Sequence, residues 1–241
     1  MSFEPRIEVQ PDADALATAV AGELLSRLAD LQASGGTPQI GLTGGTIAEA
    51  VHRELARLSP DADVDWGRVV VWFGDERFVP AGSPDRNAGQ ARAAFLDAVG
   101  ATQVHEVPAA DQVATAAEAA EAYGNAMREH GAGSFDVLML GIGPDGHVAS
   151  LFPGRPELDA DDSVAVAVAD SPKPPPERVS LTFAALNRAD VVWFLASGEG
   201  KAEAVGRALA PEGSIAETPA RGVNGSVETT WWLDRDSASA V

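Results

Sequence analysis

Apolar positions along this chain gather into short unbroken runs, separated by longer stretches in which apolar and polar residues mix. VVVWF (69–73) and VVWFLA (191–196) contain no polar residue, and FDVLML (135–140) contains one. Runs of this length, rich in β-branched and aromatic residues, suit strands buried on both faces of a parallel sheet. Shorter strands are predicted over 7–10, 39–42, 164–168, 179–183 and 229–233. Helices are predicted over 15–31, 47–58, 87–99, 114–130 and 199–209. Asp14 is placed to cap the first of these, and Gly35-Gly36, Gly100 and Gly131 stand where three of them should stop. Strands alternating with helices from end to end predict an α/β fold with a mainly parallel sheet flanked by helices. The proline-rich stretch 171–176 is too short for a linker and reads as a rigid loop inside a single domain spanning 1–241.

Composition narrows the partners more than the fold. The 241 residues are 45% hydrophobic and 22% charged, ordinary values for a chain that buries a core. A net charge of −19 argues against a nucleic-acid grip or an anionic membrane surface, both of which demand clustered basic residues. It favours a small-molecule partner. No apolar run reaches the roughly 18 residues of a membrane span, and the start shows no basic segment leading into an apolar one, so a cytoplasmic protein is expected. The absence of cysteine removes disulfides, thiolate catalysis and Cys-bound metals from consideration. Only Lys173 and Lys201 among the 17 basic residues are lysine. Most of that bias is compositional, but a lysine retained against it points to a place where a compact ammonium is wanted.

Open α/β sheets bind ligands at the carboxyl ends of their strands, and three predicted strand ends carry unusual residues. Thr43-Gly44-Gly45-Thr46 joins a strand to a helix; glycines that admit close backbone approach and a helix N-terminus suit an anion, although a plain tight turn would look the same. No Lys-Ser/Thr follows, so it is not a nucleotide P-loop. Gly74-Asp75-Glu76-Arg77 puts three consecutive charges straight after a buried run, either as site chemistry or as a solvated loop with a surface ion pair. Gly141-Ile142-Gly143-Pro144-Asp145-Gly146-His147 fits the dinucleotide pattern G-x-G-x-x-G by spacing, but Pro144 and the early Pro153-Gly154 break the long helix that pattern requires. His147 beside Asp145 suits a general base oriented by a carboxylate, or simply a loop bridge. His52, His105 and His130 show no metal-ligand spacing with it or with one another. Arg178 and Lys201, each beside a strand end, would complete a cationic pocket for a phosphate on an otherwise acidic protein.

Taken in order, the strings GLTGGT (41–46), VWFGDERFVP (71–80), SPDRNAG (83–89), LGIGPDGHVASLFPG (140–154), PERVSLTFAALNRA (176–189) and FLASGEGKA (194–202) closely resemble the 6-phosphogluconolactonase family, within a larger sugar-phosphate isomerase/deaminase-type superfamily. GPDGHxASLFPG is the specific part. Two departures are small: Val148 replaces a common threonine, and Arg86 fills a serine-like slot. The resemblance implies a modified Rossmann-like sheet and hydrolysis of 6-phosphoglucono-δ-lactone to 6-phosphogluconate in the pentose phosphate pathway, with neither cofactor nor metal. On that reading His147 takes a proton from the attacking water, Asp145 or Asp75 fixes the imidazole, and Arg77 meets the oxyanion. Gly44, Gly45, Thr46, Arg178 and Lys201 hold the phosphate. A glucosamine-6-phosphate deaminase or isomerase, or a non-catalytic sugar-phosphate sensor, would share part of this pattern. The former departs from it at ASLFPG, and nothing in the sequence resembles a DNA-binding segment for the latter.

Overall fold

A computed structural model describes residues 4–131 and 133–241. Strands β1 (Arg6–Gln10), β2 (Gln39–Leu42), β3 (Val70–Phe73), β5 (Gln103–Val104), β6 (Val137–Gly141), β9 (Val191–Ala196) and β10 (Glu228–Asp234) form one sheet in the order β1-β10-β9-β6-β2-β3-β5. Every pairing in it is parallel. The unbroken apolar runs occupy its middle, and their residues split by parity between two cores. Trp72, Leu138, Leu140, Val192 and Phe194 face one side; Val71, Phe73, Val137, Met139, Val191 and Trp193 face the other. This is the two-residue period of a strand working where both sides are dry.

Helices α1 (Ala13–Ala33) and α2 (Thr46–Leu58) cover the second side, and α4 (Ala116–His130) and α6 (Ala202–Leu209) cover the first. Here a second, antiparallel sheet also packs, β4 (Asp75–Arg77) with β8 (Arg178–Leu181) and β7 (Ala165–Val168). Its existence is the main departure from expectation. The charged stretch after β3 is a strand, registered so that Asp75 lies opposite Ser180 and Arg77 opposite Arg178. Three charged side chains in sequence hid the strand, because Glu76 is buried by backbone hydrogen bonds instead of by an apolar face: its carboxylate accepts from the N–H groups of Arg77, Asn87 and Ala88 at 2.7–2.9 Å.

Smaller corrections have local causes. Asp12, not Asp14, caps α1, its carboxylate accepting from Ala15 N–H at 2.9 Å. The helix expected over 87–99 is α3 (Asn87–Ala91), followed by a wide π-type turn, Arg92–Leu96, in which Asp97 N–H reaches Arg92 O. β8 ends at Leu181 because Thr182 caps the short α5 (Phe183–Leu186), its hydroxyl accepting from Ala185 N–H. A 3₁₀ turn, Glu199–Lys201, precedes α6. Residues 171–176 are the loop between β7 and β8, as expected from their prolines. Among the described residues no helix is long and apolar enough to cross a membrane.

Candidate active site

The carboxyl ends of β2, β3, β6 and β9 open into a cleft of about 530 Å³. Gly44, Gly45, Thr46, Asp75, Arg77, His147, Arg178 and Lys201 all line it, and Asp145 stands behind His147. Residues drawn from five separate stretches of sequence therefore meet in one place. Arg53 and Lys173 line it too, giving five cations in a chain of net charge −19.

Helix α2 begins at Thr46 with Gly45 as its N-cap, and no side chain caps its first N–H groups. They open toward the cleft, where the helix dipole favours an anion. Gly45 has φ of 102°, a left-handed conformation natural to glycine. Gly44 is required for a different reason: a Cβ there would stand 1.9 Å from Asn87 Oδ1. The Asn87 amide fills that space while its Nδ2 donates to Asp75 O at 2.9 Å, tying the glycine loop to strand β4.

After β6 the chain turns tightly, with Gly146 N–H bonded to Gly143 O and Pro144 at the position where a fixed φ is favoured. The turn folds Asp145 back onto the imidazole, Oδ1 at 2.5 Å from His147 Nδ1. A Cβ on Gly143 would lie 1.9 Å from that Nδ1, so glycine here makes room for the pair, not for a pyrophosphate. Burial by itself would raise the Asp145 carboxyl. The hydrogen bond and charge of His147, its backbone N–H and the charge of Lys173 outweigh that and bring it down to about 2. The imidazole is 14% exposed and tilts against Phe152, so Nδ1 is engaged and the other ring nitrogen is left for the cleft.

Asp75 does not hold the imidazole. Its Oδ2 accepts from Ser150 Oγ at 2.6 Å, its Oδ1 lies 3.5 Å from Asn87 Nδ2, and Arg178 Nη1 stands 4.0 Å away. Arg178 is committed elsewhere: Nε donates to Pro175 O, and Nη2 to Lys173 O and Pro174 O, leaving Nη1 to face the cleft. Arg77 donates from Nη1 to Asp85 O at 2.6 Å, and its buried Nε has no partner among the described residues. Lys201 donates to Ile142 O at 2.5 Å; burial pushes its ammonium down, Lys173 lowers it further and Asp145 raises it. Arg86, the unusual residue in its slot, is almost fully buried between Glu76 and Glu106, away from the cleft. Sequence reasoning missed Asn87 and Ser150, whose value lies in what they touch and not in any pattern around them.

The family model for glucosamine-6-phosphate isomerases/6-phosphogluconolactonase matches residues 11–232. A 6-phosphogluconolactonase of Streptomyces coelicolor is 43% identical, the match covering 100% of this chain and 96% of the relative. One from Mycobacterium tuberculosis is 40% identical, covering 98% of each. Among solved structures, a 6-phosphogluconolactonase from Trypanosoma brucei superposes with a TM-score of 0.82 at 27% identity, covering 100% of both chains. A monomeric glucosamine-6-phosphate deaminase superposes as well, with a TM-score of 0.83, but at 18% identity it shares the fold alone. The chain belongs to the glucosamine-6-phosphate isomerase/6-phosphogluconolactonase family.

Proposed function

We propose that this protein hydrolyses 6-phosphoglucono-δ-lactone to 6-phosphogluconate, the lactonase step of the pentose phosphate pathway, with His147 as the general base. The carrying observation is the His147–Asp145 pair facing the same cleft as an uncapped helix N-terminus and five cations. A δ-lactone is an activated ester, so a positioned base and charge stabilisation suffice. Neutral His147 takes a proton from water as the water oxygen bonds to the lactone carbonyl carbon. The ring C–O bond then breaks, and the alkoxide leaving oxygen recovers the proton from the imidazolium. The products are a free hydroxyl and a carboxylic acid, which releases its remaining proton to solvent and becomes the carboxylate.

Asp145 keeps Nδ1 protonated and aims the ring; this assigns the orienting carboxylate to Asp145 and leaves Asp75 to contact the substrate. Arg77, which lines the cleft, meets the tetrahedral oxyanion on this reading. Gly44, Gly45 and Thr46, at the uncapped end of α2, hold the 6-phosphate with Lys201 and Nη1 of Arg178, which makes no hydrogen bond among the described residues. No step needs a metal or cofactor. Residues 1–241 act as one domain on this reading, in the cytoplasm, with a sugar-phosphate lactone as partner.

The test is lactone hydrolysis measured against an enzyme-free blank, since the substrate also decays on its own, with ammonia release from glucosamine 6-phosphate run in parallel. Lactone loss well above the blank and no ammonia is the expected result. Decay at the blank rate, or ammonia release, overturns the reading.

A further inference from the structure

Both lysines of the chain line the same cleft, although they are 28 positions apart and the chain's other 15 basic residues are arginines, of which only three line it. Lys201 is accounted for by the phosphate site; Lys173 is not. It stands on the proline loop between β7 and β8, and the backbone of that loop is held from several directions. Ser171 Oγ donates to Lys173 O at 2.9 Å and accepts from Lys173 N–H at 3.2 Å. Ser171 N–H bonds to Pro176 O at 3.0 Å. Arg178 reaches up from β8 to three successive carbonyls, those of Lys173, Pro174 and Pro175, at 3.1–3.3 Å. Prolines at 172, 174, 175 and 176 restrict what freedom is left.

The side chain contrasts with this. Among the described residues the Lys173 ammonium makes no hydrogen bond and no ion pair, and it is exposed at the mouth of the cleft. A fixed backbone carrying an unpartnered cation is the arrangement expected of a ligand contact, because little main-chain ordering is left for the ligand to impose. Its charge is felt by Lys201 across the cleft, so two like charges face one space that a dianion would relieve.

We propose that Lys173 binds the phosphate of the substrate, bracketing it with Lys201 over the N-terminus of α2, and that Arg178 acts mainly by clamping the loop that presents this lysine. The proposal rests on the lactonase reading above and adds a specificity-determining residue to it. It also gives the short proline loop a purpose, as a rigid bracket for one ammonium group.

Lys173→Ala and Lys173→Arg separate the possibilities, assayed at low ionic strength with 6-phosphogluconolactone and with unphosphorylated glucono-δ-lactone. The parent should strongly prefer the phosphorylated lactone; if it hydrolyses neither, the lactonase reading fails and not merely this addition. Lys173→Ala should raise KM for the phosphorylated lactone about tenfold, the loss of one charge-assisted hydrogen bond, with kcat near that of the parent. Catalytic efficiency on the unphosphorylated lactone should not change. Inhibition by inorganic phosphate should weaken to a similar degree, and Lys173→Arg should recover most of the loss. An unchanged preference between the two lactones overturns the proposal. So does a fall in kcat on both, which would place Lys173 at the carbonyl, or equal losses on both with a lowered melting temperature, which would make it a structural part of the loop.

Discussion

Replacing Asp145 by asparagine tests how the His147–Asp145 pair divides its work. The substitution keeps an oxygen able to accept the Nδ1–H bond seen at 2.5 Å and removes the charge. A carboxyl held at about 2 against an ordinary 3.8 is favoured in its ionised form by roughly 2.5 kcal/mol. Asp145 is 38% exposed, so solvent and salt screen that interaction, and about 1 kcal/mol is the part to assign to the pair. Because the folded carboxyl titrates below its usual value, this stabilisation is complete above pH 3.8 and is lost as pH falls toward 2, so it is fully present in a neutral assay. Asp145→Asn should therefore lower kcat about fivefold to tenfold with KM nearly unchanged. His147→Ala should cost about 10²–10⁴-fold, the usual contribution of a positioned acid–base group. The discriminating variant carries both changes: if Asp145 acts through the imidazole, the double variant is no slower than His147→Ala alone. Steady-state kinetics and melting curves on the same four proteins supply every number. An Asp145→Asn loss that persists undiminished in the His147→Ala background would refute the positioning role, and near-normal turnover of His147→Ala would remove the histidine from the mechanism and shift attention to Asp75.

Four further outcomes follow from particular contacts. Gly44→Ala drives a Cβ into the Asn87 amide and through it displaces Asp75, so catalytic efficiency should fall up to about 100-fold; Gly45→Ala meets no protein atom, so it should cost about 1–3 kcal/mol of stability for its positive φ, while its Cβ enters the space proposed for the phosphate and raises KM. Tyr123→Phe removes the hydroxyl that serves both the N–H and the C=O of buried Phe73, at 2.7 and 2.9 Å, and the two orphaned groups should cost about 2–4 kcal/mol, seen as a melting temperature lower by roughly 5–15 °C. His52 is buried against Phe95, and burial, followed by the charge of Arg53, lowers it to about 4 from 6.5. The unfolded chain binds this proton first, so stability is complete above pH 6.5 and declines by up to about 3 kcal/mol as pH falls to 4; denaturant titrations of His52→Leu should lack that part of the slope. Activity should survive exhaustive chelation, since among the described residues no three His, Asp or Glu side chains group as a metal site; loss restored by a divalent ion would overturn the metal-free mechanism.

The central sheet was legible because its strands are dry on both sides, and a dry strand has to spell itself out as an unbroken apolar run: VVVWF, FDVLML and VVWFLA are strands within a residue or two of their predicted limits. In the small sheet β7 and β8 were legible too, but β4 was not, for the opposite reason. Asp75–Arg77 is three charges long, and what makes it a strand is a register with Arg178–Leu181, a hundred residues further on, and a buried glutamate satisfied by backbone N–H groups. Neither leaves a trace in local composition. The same division runs through the site. Glycines at strand ends and a histidine beside an aspartate are local signals, and the structure gathers all nine residues they suggested around one cleft. What local signals could not supply is the allocation of partners. The sequence left Asp75 and Asp145 as alternatives beside the imidazole; in the fold Asp145 Oδ1 lies 2.5 Å from His147 Nδ1, while Asp75 Oδ2 accepts from Ser150, 75 positions away. Nor could local signals show that Nε and Nη2 of Arg178 donate to three loop carbonyls, which leaves only Nη1 for a ligand. In both cases what a charged side chain can offer a ligand depends on which of its atoms are already engaged, and that is set by contacts only the folded chain makes.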